Sequence, residues 1–250
     1  RDHFERDGEC LLFRVRSYSV IDYINAILGG EYRQVGGTVN AAWFGVPQDR
    51  KRYIVMGILR DVCLDASFSV PKEPQKYIAV TVGDAIRDLE KYDAVYEPTP
   101  SETAYSDDTD LSDYAKEMRV GSSGVSNHIA TSTTKTALDR LKAIKQGDNF
   151  HSLDVTMKST YSKPERTQKT IYLRLKPEEP SGTVINVRKS MWIHPTLDRA
   201  ITVREAARLQ SFPDRFVFQG SKDSQYQQVG NAVPPLLAKA IAEHLLHTIQ

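Results

Sequence analysis

Residues 228–235 read Gln-Val-Gly-Asn-Ala-Val-Pro-Pro and lead straight into a helix-forming stretch. Consecutive prolines cannot sit inside a helix, and Pro235 suits the first turn of one. The chain must therefore turn near Gly230 and leave as a final helix, with Leu237, Ala240, Ile241 and Leu245 on one stripe. Backbone amides at such a turn suit an anion such as a carboxylate. The octapeptide is too particular to be a general packing solution. It also has a distant partner, GVPQDRKRYIVMG at residues 45–57, which sets charged residues just ahead of a buried-looking strand.

Within that partner, Arg50 and Arg52 are two apart and share a face if the segment is extended. Two guanidiniums on one face can grip a phosphate or a carbonyl oxygen. A charged strand entry held in surface ion pairs is the alternative, and spacing alone leaves both open.

The 250 residues make one large domain or two small ones, 40% hydrophobic and 26% charged. No apolar run approaches the length of a membrane span, so no membrane partner is expected. The start, RDHFERDGEC, is too charged for a signal peptide, and the missing initiator Met points to a fragment or a processed chain. Cys10 and Cys63 have no metal-type spacing, no His/Cys cluster suits zinc, and a reducing compartment is expected. Net charge is +1, so no global basic field argues for nucleic acid. Charge is segregated instead. Acidic residues dominate from Asp84 to Glu117, and basic ones from Lys158 to Arg199, namely Lys158, Lys163, Arg166, Lys169, Arg174, Lys176, Arg188, Lys189 and Arg199.

Residues 20–28 have helical spacing, with Gly29-Gly30 as a stop. Residues 31–37 and 52–59 are predicted strands, the second covered on both faces. Thr81 through Asp84 starts a helix with Ala85, Ile86 and Leu89 on one side. Residues 91–127 are expected to be a long irregular excursion. A short helix is predicted over 137–145, then short strands within 155–193. Thr202 and Glu205 form a capping box opening a helix that runs to Phe212.

Taken together, GVPQDRKRYIVMG, the stretch REAARLQSFPD (204–214) and the run from Gln225 to His244 resemble the C-terminal half of DNA (cytosine-5) methyltransferases. Between them, Asn127-His128, Leu138-x-Arg140, residues 145–149 and Pro180-Ser-Gly-Thr-Val184 resemble that family's target-recognition region. The resemblance implies that Arg52 contacts the flipped cytosine, that Arg50 supports the site or a phosphate, and that Gln48 braces the loop. It implies that Asn231, Ala232 and Val233 border S-adenosyl-L-methionine. Arg204 is implied as an internal hub. Thr183, Lys163, Lys169, Arg188 and Lys189 are implied to meet double-stranded DNA. His128 and His194 are expected to be hydrogen-bonded loop residues.

The family's nucleophile is a cysteine directly after a proline, but Cys10 follows Glu9 and Cys63 follows Val62. Its Glu-Asn-Val triplet and its early glycine-rich cofactor turn are also absent. The expectation is therefore an α/β fold made of a partial methyltransferase (Rossmann-like) sheet segment plus a smaller, largely irregular or β recognition domain. Residues 1–90 would be catalytic-domain sequence, 91–198 the target-recognition domain, and 199–250 the return to the catalytic domain. The sheet over 30–60 is expected to be parallel and incomplete. The missing half, on the same polypeptide or a separate subunit, would complete it, and this chain alone would be inactive. The setting implied is a restriction-modification system in the bacterial cytoplasm, near the nucleoid, or a nucleus in a eukaryote. Two alternatives stay open: a non-catalytic, sequence-specific DNA-binding module, and a relative acting on RNA or a small molecule.

Overall fold

A computed structural model describes residues 2–6, 12–16, 19–62, 68–97, 102–106, 110–185 and 190–249. The chain divides into two units, one of residues 1–39, 53–72 and 242–250, the other of residues 40–52 and 73–241.

In the first unit, β1 (Asp2–Arg6) and β2 (Leu12–Arg16) pair antiparallel. Helix α1 (Val20–Leu28) starts where the sequence predicts. The Ser19 hydroxyl accepts from the Asp22 amide, the Asp22 carboxylate returns the bond, and Gly29 closes the other end. None of its residues is buried, and Val20, Tyr23 and Ile27 are 75%, 63% and 60% exposed. The helix thus carries an amphipathic pattern whose apolar side faces solvent in this chain.

Strands β3 (Tyr32–Asn40) and β4 (Lys51–Leu59) pair with each other. Arg60 donates to the Glu31 carbonyl at one end and Ala41 to the Arg50 carbonyl at the other, so the pair is antiparallel. This corrects the parallel sheet expected over 30–60. It also corrects the two-sided cover expected for β4, in which Met56 and Ile58 are buried while Tyr53 and Leu59 are exposed. The run of apolar residue types did not translate into burial on both faces, because among the described residues no third strand joins the pair.

The second unit begins its helices with α2 (Val82–Ile86), capped reciprocally by Thr81 and Asp84. Short strands β5 (Thr103–Ala104) and β6 (Gly124–Val125) pair antiparallel. Between them, α3 (Asp113–Arg119) starts at the Ser112 hydroxyl and buries Tyr114, Ala115 and Met118. The stretch 91–127 is therefore not simply irregular; about two helical turns anchor it to the core. Helices α4 (Lys135–Ala143), α5 (Val155–Lys158), α6 (Val203–Leu209), α7 (Lys222–Asn231) and α8 (Pro235–Ile249) follow. Among the described residues of 155–193, α5, a helical turn at Pro164–Arg166 and isolated bridges such as Arg174 with Ile193 stand where strands are expected, and the end of the stretch 183–188 lies outside the described residues.

Two hydrophobic clusters bear on the site, and a smaller one joins Leu89, Tyr92 and Val125. One of the two joins Val82, Ile86, Met118, Ile129, Val184, Leu209, Tyr226 and Val229. The other joins Leu141, Ile144, Phe150, Leu153, Tyr172 and Ile193, with Phe150 and Tyr172 stacked. Helix α6 stops at Leu209, three residues before the expected Phe212. Ser211 takes a left-handed conformation at φ +59°, and the amides of Ser211 and Phe212 return to the carbonyls of Arg208 and Ala207. This is a Schellman stop with serine where glycine is usual. Among the described residues no helix is long and apolar enough to cross a membrane.

Candidate active site and recognition surface

Asn40 sets the geometry of the Gln48–Arg52 segment. Its Oδ1 accepts the amides of Ala42 (3.3 Å) and Arg50 (3.0 Å), and its Nδ2 donates to Asp49 (2.8 Å). The segment runs extended beside Ser181, exchanging backbone bonds through Pro47 and Asp49. Alternation then puts the side chains of Gln48 and Arg50 on one face.

Both are buried. Gln48 Nε2 donates to the Leu209 carbonyl (3.0 Å), and its Oε1 accepts the Val184 amide (2.9 Å) and Arg50 Nη1 (3.3 Å). Arg50 Nη1 donates to the Val184 carbonyl at 2.7 Å, and Nη2 donates to the carbonyls of Gly230 and Ala232, both at 3.3 Å. Burial, helped by the nearby Arg52 charge, lowers the Arg50 pKa to about 10. The guanidinium stays charged at neutral pH, and charge-assisted bonds to three carbonyls compensate its desolvation. One side chain thus joins segments that lie 134 and 182 residues away in sequence.

Gly230 lets this happen. A Cβ there would lie 1.9 Å from the Ile185 carbonyl oxygen, so only glycine allows the backbone of 183–185 to press on α7. Arg52, by contrast, is exposed, with Nη1 donating to the Lys51 carbonyl.

The turn after α7 differs from its sequence-based picture. Gly230 and Asn231 end the helix rather than forming a loop of free amides. Pro234 and Pro235 have no N–H, the Leu236 amide donates to Ser211 Oγ, and the Ala238 amide to the Pro234 carbonyl. Two of the donors expected for an anion are therefore missing at the prolines, and those of Leu236 and Ala238 are already used. Asn231 is exposed and accepts from Gln227, Val233 is 61% exposed, and the Ala232 carbonyl belongs to Arg50. Asn231 and Val233 fit the border of a ligand with polar and apolar parts, as one wall and not an enclosure.

Thr183 Oγ1 donates to the Asp49 carbonyl at 3.1 Å, tying its segment to the Arg50 loop. Lys163 and Lys169 are exposed, while Arg188 and Lys189 lie outside the described residues. The basic run 158–199 is partly structural. Arg174 is buried against the carbonyls of Leu141, Ile144 and His194 and pairs with Asp198. Arg199 holds Glu205 bidentately at 2.8 and 2.6 Å. Both guanidiniums are thus spent inside the fold, which charge counting cannot show.

Arg204 is buried and donates to the carbonyls of Ser126 (2.8 Å), Phe216 (2.7 Å) and Pro213 (3.3 Å). The sequence reading missed a stronger neighbour. Arg208 Nε and Nη2 hold Asp214 at 2.9 and 2.6 Å, and Nη1 holds Asp88 at 2.8 Å. The available signal was two arginines at i and i+4 on one short helix, followed by an aspartate.

The two histidines are hydrogen-bonded as expected. His128 meets Thr202 Oγ1 and the Tyr92 carbonyl. His194 Nδ1 accepts the amides of Thr196 and Leu197, so in the neutral ring the proton sits on Nε2, 3.7 Å from Glu205 Oε1. Burial holds both imidazoles below the ordinary value. Burial would raise Glu205, but the Arg199 guanidinium outweighs it and keeps the carboxyl well below the usual range. The native state then binds fewer protons than the unfolded chain, whose histidines titrate near pH ~6.5. Stability is expected to fall as pH drops below that value. Urea midpoints at pH 7.5 and 5.5 check this, and His194→Asn, which keeps an acceptor in place of Nδ1, should flatten the difference. An unchanged difference in the variant would remove His194 from the account.

A profile of the C-5 cytosine-specific DNA methylases matches residues 25–247, nearly the whole chain, which therefore belongs to that family. The chain is 34% identical over 244 residues to the type II methyltransferase M.DdeI of Desulfomicrobium norvegicum, covering 89% of this chain and 58% of that one. It is 39% identical over 140 residues to M.AquIB of Picosynechococcus sp., covering 50% of this chain and 93% of that one. A crystallised E. coli prophage protein, assigned as a DNA modification methyltransferase, superposes with a TM-score of 0.68 at 25% identity, over 92% of this chain and 64% of its own. The chain thus has a mixed α/β methyltransferase fold and spans little more than half the length of M.DdeI.

Proposed function

We propose that this chain is the C-terminal part, or one subunit, of a DNA (cytosine-5) methyltransferase. The reaction would carry a methyl group from S-adenosyl-L-methionine to C5 of a cytosine turned out of the duplex, since C5 and C6 are not attackable in the stack. The attacking cysteine and the protonating glutamate would lie outside these 250 residues. The observation that carries the reading is the Arg50 clamp, which gathers the Gln48–Arg52 loop, Val184 and the Gly230–Ala232 turn around one side chain.

Arg52 is the residue left for the base. It stands two positions from the clamp, exposed, where a cation can meet the pyrimidine ring carbonyl as negative charge develops there during attack at C6. Arg50 and Gln48 position that loop rather than touch substrate. Asn231 and Val233 would border the cofactor, which supplies an electrophilic methyl group when bound. Residues 91–198 would form the recognition domain between two catalytic-domain stretches.

Two facts support a separate first half. The apolar side of α1 is exposed, and the β3–β4 pair is too small a sheet to be stable alone. M.AquIB also supports it, because 140 matched residues make up 93% of that methyltransferase chain. Combining this chain with a first half bearing Pro-Cys and Glu-Asn-Val should give methyl transfer that neither part gives alone.

In that assembly Arg52→Ala is expected to cut turnover at least ~100-fold, as removing one charge-stabilising donor does, while changing the dissociation constant for DNA by only about threefold. Single-turnover rates and binding titrations separate the two. Equal losses in both would assign Arg52 to DNA binding.

A further inference from the structure

The end of α6 grips both ends of one turn. Gln210 is buried and donates from Nε2 to the Val229 carbonyl at 2.8 Å. Ser211, also buried, accepts the Leu236 amide on Oγ at 3.2 Å. Two successive residues thus hold positions 229 and 236, and Asn231, Ala232 and Val233 lie between the grips. The turn has few donors of its own, because Pro234 and Pro235 carry no N–H. Leu236 is the first residue of α8 with an amide to give, and a helix cannot pair the amides of its own first turn. The Leu236 side chain packs against the first hydrophobic cluster, so the bond to Ser211 also fixes where α8 departs. The backbone of Ser211 has φ +59°, a left-handed conformation that residues with a Cβ rarely adopt. Glycine would stop α6 there without steric cost, but it has no hydroxyl to meet α8.

We propose that Gln210 and Ser211 are positioning residues for the cofactor, fixing the shape of the wall that carries Asn231 and Val233. The proposal rests on the DNA methyltransferase reading above and adds what holds that wall. Gln210 and Ser211 act through the turn, since both side chains are buried and bonded to backbone. Asn231 and Val233 are exposed, so the backbone that carries them, more than the packing of their side chains, decides where they stand. Arg50 holds the same turn through the carbonyls of Gly230 and Ala232. Loss of the Ser211 hydroxyl therefore frees the end at Leu236 while Arg50 keeps the middle in place. The expected effect is the worth of one hydrogen bond, roughly 3- to 10-fold in cofactor affinity.

The test is equilibrium dialysis of S-adenosyl-L-methionine against the full methyltransferase, both halves present, with urea midpoints measured alongside. Ser211→Gly and Ser211→Ala should lose affinity equally, because both lack the hydroxyl. The glycine variant should denature at or above the midpoint of the alanine variant, because alanine keeps the left-handed strain that glycine relieves. Turnover at saturating cofactor should stay within about twofold of wild type in both, as expected when only binding is touched. Ser112→Ala removes the cap of α3, away from the turn, and should lower the midpoint without changing affinity. The double variant Asn231→Ala with Val233→Ala reports on the wall itself and should bind the cofactor more weakly. Wild-type affinity in Ser211→Gly, with a loss in the double variant, overturns the proposal and leaves the wall standing. Wild-type affinity in both overturns the wall and the proposal together. A loss in Ser211→Gly without one in the double variant, or an equal loss in Ser112→Ala, means that Ser211 does not act through the wall and also overturns the proposal.

Discussion

Gly230→Ala is expected to destabilise the second unit by at least ~3 kcal/mol, as severe overpacking does. The new Cβ would meet the Ile185 carbonyl oxygen at 1.9 Å and its carbon at 2.7 Å. Both are backbone atoms, so no side chain can swing aside. Either α7 or residues 183–185 must retreat, and each retreat stretches the bonds from Arg50 to Gly230 and Val184. Gly30→Ala is the control, because nothing lies within 4 Å of a Cβ there, and its change should stay within ~0.5 kcal/mol. Urea denaturation of both variants decides. A Gly230→Ala midpoint equal to wild type would mean that the 183–185 segment does not rest on α7.

Asp214→Asn carries the second large expected effect, a loss of about 3–5 kcal/mol. Arg208 and Asp214 are both fully buried and bonded through two nitrogens, with Asp88 completing the guanidinium's partners. Tyr105 also donates its hydroxyl to Asp214, and Arg204 lies 3.8 Å from it. Removing the negative charge leaves Arg208 with Asp88, which Arg119 already shares, as its remaining carboxylate. The amide also brings donors where only acceptors fit. The double change Arg208→Met with Asp214→Leu should recover part of the loss, since a buried pair can be replaced by apolar groups more cheaply than it can be broken. If the single variant unfolds at the wild-type midpoint, the pair is reached by water and stabilises little.

The local grammar of this chain was legible where a few neighbouring residues decide the outcome. The caps at Thr81 and Thr202, each answered by an acid three residues on, form as the sequence predicts. Gln48 and Arg204 each bond to distant backbone, Gln48 to the Leu209 carbonyl and Arg204 to that of Ser126. Failures came where the outcome depends on distant chain. The run 53–59 is apolar enough for a two-sided strand, but burial is a property of neighbours and not of residue type. Arg174 and Arg199 look like part of a basic surface until their carbonyl and carboxylate partners fold around them. The stop of α6 turned on Ser211 taking a left-handed backbone, a choice fixed by the α8 amide that its hydroxyl receives. The Gly230 turn looked rich in amides because sequence shows where prolines stand, not where the remaining donors are spent.

The second hydrophobic cluster, around Phe150 and Tyr172, has a consequence for how such a protein can change its preference. Leu141, Ile144 and Leu153 pack with those rings and Ile193 in a cluster separate from the one that holds α2, α6 and α7. Val184, Ser181 and Thr183 meet the loop of residues 47–50, and Val184 belongs to that other cluster. A lobe with its own interior can be rebuilt piecemeal, new loops on an old stem, without unpacking the neighbouring cluster.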